Sequence, residues 1–482
     1  MPELTARRID VRNPRTGRND YVIEQSDGAA LQRLADRLRA AQPAWRAAGV
    51  EQRAQALRDL AAAMAGRRDE LIAALTADTG RVAETVLEVD ATLGAIERWC
   101  AQAPALLEEP APESTSIPFI EVGREAVPYA LAGIISPWNF PLLLSLIDTV
   151  PALLAGCACI VKPSEVTPRF IAPLNEAIAS VPGVAAVLAY VAGDGSAGAA
   201  VVDSVDLVCF TGSVKTGRLV GEAAARNFIP AHLELGGKDP AIVTRNTDIE
   251  RAAAALGWGG IVNAGQSCLS IERIYVDAAV RDEFVAALAR NVGRLKLNTP
   301  DIASGEIGPI IFAGQVDIIQ SHLDDALARG AKIECGGRIE VHDGGSWCLP
   351  TVLSGVTQDM RIMREETFAP ILPVMAYGRI DEAIDLANDT IYGLSAAVFC
   401  DDPITADRIA RYLDAGAISI NDAALTSIMH EGEKQAFKLS GLGGSRMGTA
   451  SIRRFLKTKA HIRNVGDVWD PWWYQQDAGA AD

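Results

Sequence analysis

The strongest constraint on the fold is an alternation of short apolar runs with amphipathic segments through the middle of the chain. GCACIVKP reads as a buried strand, PRFIAPLNEAIAS as a helix, and AAVLAYVAG and VDLVCFTGS as strands. VKTGRLVGEAAARNF then reads as a helix, with AHLELGG and DPAIV as strands. Strand–helix alternation at this spacing predicts βαβ units and a parallel sheet covered on both faces. The texture recurs in the second half. DIERAAAALGWGG and AVRDEFVAALARNVGRL are predicted helices, followed by a short strand SAAVF, a helix ITADRIARYL and a strand GAISIND. At 482 residues the chain exceeds one ordinary core, so two α/β domains are expected.

The N-terminal part differs. From Asp27 to about Leu106 apolar residues recur at three- and four-residue spacing, as in packed helices. Pro110 to Val127 is proline-rich and then extended, and SIPFIEVGREAVPYALAGIIS reads as a hairpin. A net charge of −16 repels phosphate backbones and anionic lipid, so nucleic-acid and membrane-surface binding are not expected. No apolar run approaches the roughly 18 residues of a membrane span. The start, MPELTARRIDVRNPRTG, lacks a secretory core. The eight cysteines are scattered without a CxxC, and the five histidines show no ligand spacing. A cytoplasmic protein without disulfides or a metal is expected.

Two glycine loops compete for a phosphate. Gly193-Asp-Gly195-Ser-Ala-Gly198 matches GxGxxG, but no acidic residue follows about twenty positions on, and a plain turn is the alternative. Phe210-Thr211-Gly212-Ser213-Val214-Lys215-Thr216-Gly217 follows a buried strand and opens a helix, where backbone N–H groups and helix polarity favour an anion. The alternative is an ordinary turn capped by Ser213.

Three further residues stand out. Cys268, in NAGQSCLS, lies among small and polar neighbours; it is a candidate nucleophile or a small buried side chain. Glu234, between two leucines in HLELGGKDP, is a candidate general base or a partner of Lys238. Asn139, in GIISPWNFPLLL, is a candidate oxyanion donor or the start of an Asx turn before Pro141.

Taken in order, GIISPWNFPL, IVKPSEVTP, FTGSVKTG, LELGGKDP, GQSC, EETFAP, YGLSAAVF and KLSGLGG resemble the aldehyde dehydrogenase superfamily, from the first helices to about Asn464. Glu234 and Cys268 also stand 34 residues apart, as in that family. The resemblance implies two Rossmann-like α/β domains and a small β oligomerisation element that joins the hairpin near Ser114 to Tyr129 with the strand LKTKAHIRN. It places the cofactor domain at 1–111 and 131–236, the catalytic domain at 237–434, and bridging segments at 112–130 and 435–482.

It further implies Cys268 as nucleophile, Asn139 with the Cys268 N–H as oxyanion hole, and Glu234 as the base that activates water. Relatives that pass the acyl group to coenzyme A lack this glutamate. Lys162 and Glu165 would hold the adenosine ribose, beside Ser164 and Gly195. Ser213 would meet the pyrophosphate, with Phe210, Thr211, Gly212 and Thr216 around it. Glu366 and Phe368 would position the nicotinamide riboside, with Ile135, Ser136, Pro137, Trp138, Leu235 and Gly236 alongside. A carboxylate at the ribose hydroxyls repels a 2′-phosphate, so NAD is expected over NADP.

EETFAP carries Ala369 where the family usually has glycine, which would shift the nicotinamide loop slightly. The ending GLGGSRMG also departs from the family and supports no reading. Phe140, Leu143, Leu144 and Ile147 would line the substrate tunnel, with Ser267 and Leu269 flanking the thiol. Ile147 offers no cation where succinate-semialdehyde relatives carry one, which points to aromatic or medium-chain apolar aldehydes; a helix-face core is the alternative. A homodimer or homotetramer is expected. Trp469, Trp472 and Trp473 would cover either a subunit interface or the tunnel mouth. The rival readings are a catabolic semialdehyde dehydrogenase, a thiol esterase without redox, and a non-catalytic binding protein on the same scaffold.

Overall fold

A computed structural model describes residues 4–466 together with Trp472 and Tyr474. It opens with an antiparallel hairpin, β1 (Arg7–Arg12) and β2 (Asn19–Gln25). Sequence reading missed this hairpin, because its polar strands bury only Val11, Ile23 and Gln25. Four helices follow: α1 (Gly28–Ala47), α2 (Gly49–Gly66), α3 (Arg68–Thr79) and α4 (Ala83–Leu106). Their apolar stripes, including Leu38, Leu57, Leu60 and Leu75, are fully buried, each contributing roughly 1.5–3 kcal/mol.

Strand β4 (Ile120–Pro128) pairs antiparallel with short β3 (Glu113–Ser114) and, as expected of the small β element, with the strand Leu456–Asn464, in a separate three-stranded sheet; the hairpin does not extend into residues 131–136. The next strand, β5 (Leu131–Ile135), is buried along its whole length and joins a different sheet. The physical difference is visible in composition: LAGII is apolar throughout, as a central parallel strand requires, whereas β4 mixes charges with apolar residues.

Helix α5 (Pro141–Ala155) follows β5. Pro141 starts it, and Gly156 ends it in the left-handed region at φ 104°. The chain continues through β6 (Ala158–Lys162), α6 (Ile171–Ala179), α7 (Pro182–Ala185) and β7 (Leu188–Tyr190). It then runs through α8 (Gly195–Ser204), β8 (Leu207–Thr211), α9 (Val214–Arg226) and β9 (Ala231–Glu234). The sheet order is Gly441–Leu442, β9, β8, β5, β6, β7, with β9 to β7 all parallel. The GDGSAG segment is therefore not a bare turn. Asp194 caps α8 by accepting from Ser196 N, and Gly195 begins the helix.

The second sheet is built on β10 (Asp239–Val243) and, after α10 (Ile249–Ile261), β11 (Ile271–Asp277). Its order is Lys332–Cys335, Thr351–Ser354, Ile371–Tyr377, β11, β10, Ser395–Phe399, Ala417–Ile420. All pairs are parallel except the first, which is antiparallel. Among the described residues no helix is long and apolar enough to cross a membrane.

Candidate active site

A cleft of about 1090 Å³ opens at the carboxyl ends of β5, β6 and β8, where open parallel sheets bind ligands. Every residue expected to meet the cofactor lines it. Ile135, Ser136, Pro137 and Trp138 come from the loop after β5; Lys162, Ser164 and Glu165 from the end of β6; Gly195 from the start of α8. Phe210, Thr211, Gly212, Ser213 and Thr216 come from β8 and the start of α9; Leu235 and Gly236 follow β9; Glu366 and Phe368 reach in from the second sheet.

The lining is shaped for a ligand. The Ser136 hydroxyl is buried and lacks any hydrogen-bond partner. Lys162 and Glu165 pair at 2.9 Å, leaving the carboxylate partly exposed. Ser213 caps α9 by accepting from Thr216 N at 3.2 Å; the capping alternative thus holds, while the helix N-terminus still faces the cleft. Any Cβ on Gly236 would lie 2.6 Å from Glu366 Oε2, so glycine alone permits that approach. Gly237 N donates to Glu366 Oε1 at 3.3 Å. Burial, and then the Glu272 carboxylate, push the Glu366 carboxyl up to about 8.

Cys268 lines the same cleft and is half-buried. The turn before it is forced. Asn263, Ala264 and Gly265 all occupy the left-handed region, at φ 56°, 53° and 68°, which costs non-glycine residues of order 1–3 kcal/mol each. Gln266 holds the turn: its Nε2 donates to Asn263 O and Pro309 O, and its Oε1 accepts from Ile311 N at 2.9 Å. A Cβ on Gly265 would fall 2.2 Å from Ala369 O, so the thiol turn and the Phe368 loop share one backbone contact. Phe368, not Ala369, takes positive φ, at 54°. The Ala369 methyl sits in the core of the second domain, and Glu272 pins the loop by accepting from Thr367 N and Phe368 N. The loop is held by these bonds with the extra methyl accommodated.

Asn139 also lines the cleft and is buried. Its Nδ2 donates to Gln266 O at 3.0 Å, across 127 residues, so the Asx-turn alternative fails. The Asn139 carbonyl accepts from buried Arg81 at 2.8 Å. Burial dominates the thiol: Cys268 is pushed up to about 12, with Glu234 adding to the rise and Lys434 opposing it.

Glu234 does not line the large cleft. It borders a separate small cavity with Asp148, His232 and Arg446. Its partner is not Lys238, which is fully buried against Glu272 (2.6 Å) and Thr367. Lys434 Nζ lies 3.3 Å from Glu234 Oε1 instead. Beneath them Asp148 pairs with Arg446 and Arg454, and Arg446 also reaches Thr211. The departing GLGGSRMG ending is thereby placed: its arginine closes a buried ion cluster.

Of the expected substrate residues, Leu144 lines the cleft. Phe140, Leu143 and Ile147 do not, but with Leu144 they form the half-buried face of an otherwise buried segment. Arg81 lies over the Phe140 ring at 4.5 Å, with Nε and Nη1 unpartnered. Ser267 accepts from Leu269 N at 3.3 Å, closing the turn around the thiol. Trp472 stacks on Phe119 at 5.9 Å; Trp469 and Trp473 lie outside the described residues. Sequence reading missed Lys434, Arg81 and the cleft-lining Phe312, and named Gln266 only as a polar neighbour of the thiol. The partners of Lys434 and Arg81 lie far away in the chain, so spacing carried no signal.

The aldehyde dehydrogenase family model matches residues 2–461. The 4,4'-diapolycopene aldehyde oxidase of Methylomonas sp is 38% identical over 425 residues, 87% of this chain and 79% of that protein. A protein named "Putative succinate-semialdehyde dehydrogenase [NADP(+)]" from Mycolicibacterium smegmatis is 35% identical over 448 residues, 92% of this chain and 86% of that one. The solved structure of "Putative Aldehyde Dehydrogenase PutA" from Anabaena variabilis superposes with a TM-score of 0.96 at 54% identity, covering 97% of this chain and 100% of that one.

Proposed function

Because the chain belongs to the aldehyde dehydrogenase family, we propose that it oxidises an apolar aldehyde to the acid through a thioester on Cys268, hydrolysed with Glu234 as base. That it is an oxidoreductase acting on aldehydes follows from the family. The observation carrying the finer reading is the shared cleft: the Cys268 thiol, Asn139 and the Glu366–Phe368 loop border the same space as Lys162, Glu165 and the start of α9.

The lining fits a nicotinamide dinucleotide. The orphaned Ser136 hydroxyl offers it a donor, and the N-terminus of α9 offers positive potential to its phosphates. Glu165 repels a 2′-phosphate, so NAD is favoured. When bound, the dinucleotide supplies a hydride acceptor. Cys268 attacks the carbonyl carbon after losing its proton, and Asn139 Nδ2 with the Cys268 N–H receives the developing oxyanion. Once the acyl group is a thioester, Glu234 takes a proton from water, and water's oxygen replaces the sulfur.

Leu144 and its neighbours on the half-buried face of α5 present apolar surface, which suits an aromatic or medium-chain aldehyde. A semialdehyde is the second reading, favoured by the unpartnered nitrogens of Arg81 beneath Phe140. Absorbance of reduced nicotinamide across an aldehyde panel separates them. Aromatic and medium-chain aldehydes leading in kcat/KM is the expected result; succinate semialdehyde far ahead would reverse the assignment.

A further inference from the structure

Of the two lysines in EKQAFKLSG, Lys438 is partly exposed, on Asp414 and the Asn388 carbonyl. Lys434 is the buried one, its side chain 7% exposed. An ammonium in such a place needs a counter-charge, and among the described residues its one hydrogen-bond partner is Glu234 Oε1 at 3.3 Å. Among the described residues that is also the only side-chain hydrogen bond of the Glu234 carboxylate. Both backbones are anchored. Lys434 N donates to Ser445 Oγ at 2.9 Å, and Glu234 O accepts from Gly212 N at 3.1 Å. The two side chains are thus presented to each other by fixed elements, and both charges act on the Cys268 sulfur, in opposite directions.

The other charged groups around Glu234 are already committed. Arg446 is held by Asp148 and Thr211, and Arg454 by Asp148. His232, on the same strand, is neutral near pH 7, its ring pushed down to about 4 by burial and then by Arg454. Asp239 bonds to Ser395, and Glu366 takes the Gly237 N–H. Among the described residues Lys434 is the cation hydrogen-bonded to Glu234, and its charge also acts on Asp239 while Arg446 interacts with Glu234 at longer range.

We propose that Lys434 is a positioning residue for hydrolysis of the acyl-enzyme: its ammonium holds the Glu234 carboxylate in the one orientation from which it can take a proton from the attacking water. The inference rests on Glu234 being the base. In the step concerned, water's oxygen bonds to the thioester carbon, its proton passes to Glu234, and the carbon–sulfur bond breaks with the electron pair leaving on Cys268. No redox change occurs.

The test needs no nicotinamide. The full-length protein is acetylated on Cys268 with p-nitrophenyl acetate, and loss of the acetyl mass is followed from about pH 5.5 to about 9. Glu234→Gln should slow deacetylation at least about tenfold at every pH. Lys434→Met and Lys434→Gln should slow deacetylation at least about tenfold, and Lys434→Arg should stay within about threefold of the unsubstituted protein. Unslowed deacetylation in both neutral variants, with Glu234→Gln slow, overturns the inference and spares the base. Full-speed deacetylation by Glu234→Gln overturns the base and the inference with it. If Lys434→Met fails to fold, Lys434→Gln carries the same decision.

Discussion

The Cys268 sulfur sits where burial and then the Glu234 carboxylate oppose ionisation, with Asp239 and Glu366 adding to them, while Lys434 favours it. At neutral pH the free enzyme therefore carries a thiol, and its nucleophile forms only as a base removes the proton. Alkylation by iodoacetamide should rise about tenfold per pH unit between about pH 7 and about pH 9, without levelling. A plateau near neutrality would show a resting thiolate instead. The sign follows from the direction of the shift: a raised thiol pKa delays ionisation. At this scale much of the site was legible. Cys268, Glu234 and Asn139 stand in motifs that announce themselves. The partners that tune them do not, because Lys434 lies 200 residues from Glu234 and Arg81 lies 58 from Asn139.

Helix α5 carries the expected substrate face, and its start is fixed from another element. Phe140 provides no side-chain cap. Instead Glu88 of α4 accepts from Leu142 N at 2.8 Å and Leu143 N at 3.2 Å, while pairing with buried Arg81. Arg81 in turn holds the Asn139 carbonyl. One buried carboxylate thus links the helix N-terminus, the candidate oxyanion donor and the Phe140 ring. Glu88→Ala should cost about 3–5 kcal/mol in denaturant unfolding, because Arg81 is left buried without its anion. A loss below about 1 kcal/mol would show that the pair positions nothing. Elements with strong apolar texture, such as β5, β6 and β8, were legible as strands. The hairpin β1–β2 was not, since polar strands at a domain margin lack the period that marks a half-buried sheet. The partner of β4, more than 300 residues away, left no local trace in periodicity and was legible only through the family resemblance, which joined it to LKTKAHIRN.

Across the whole molecule, chemistry depends on two sheets meeting. The first brings Asn139, the Ser213 helix start and the Glu234 strand; the second brings the Glu366–Phe368 loop, and the Cys268 turn runs between β10 and β11. Contacts joining them at the site include Gly237 N on Glu366, Asn139 Nδ2 on Gln266 O and Lys434 on Glu234, while Gly265 against Ala369 O ties the thiol turn to the Phe368 loop within the second. The resemblance gave this arrangement its outline, and periodicity alone gave two α/β layers without their docking. The decisive measurement is a single-turnover experiment on Glu234→Gln with an apolar aldehyde and NAD, quenched and mapped by peptide mass. We expect about one acyl group per chain, on the Cys268 peptide, with one equivalent of reduced nicotinamide and slow release thereafter. Reduced nicotinamide formed at the wild-type rate by Cys268→Ala, or an acyl group on any other residue, would contradict the account.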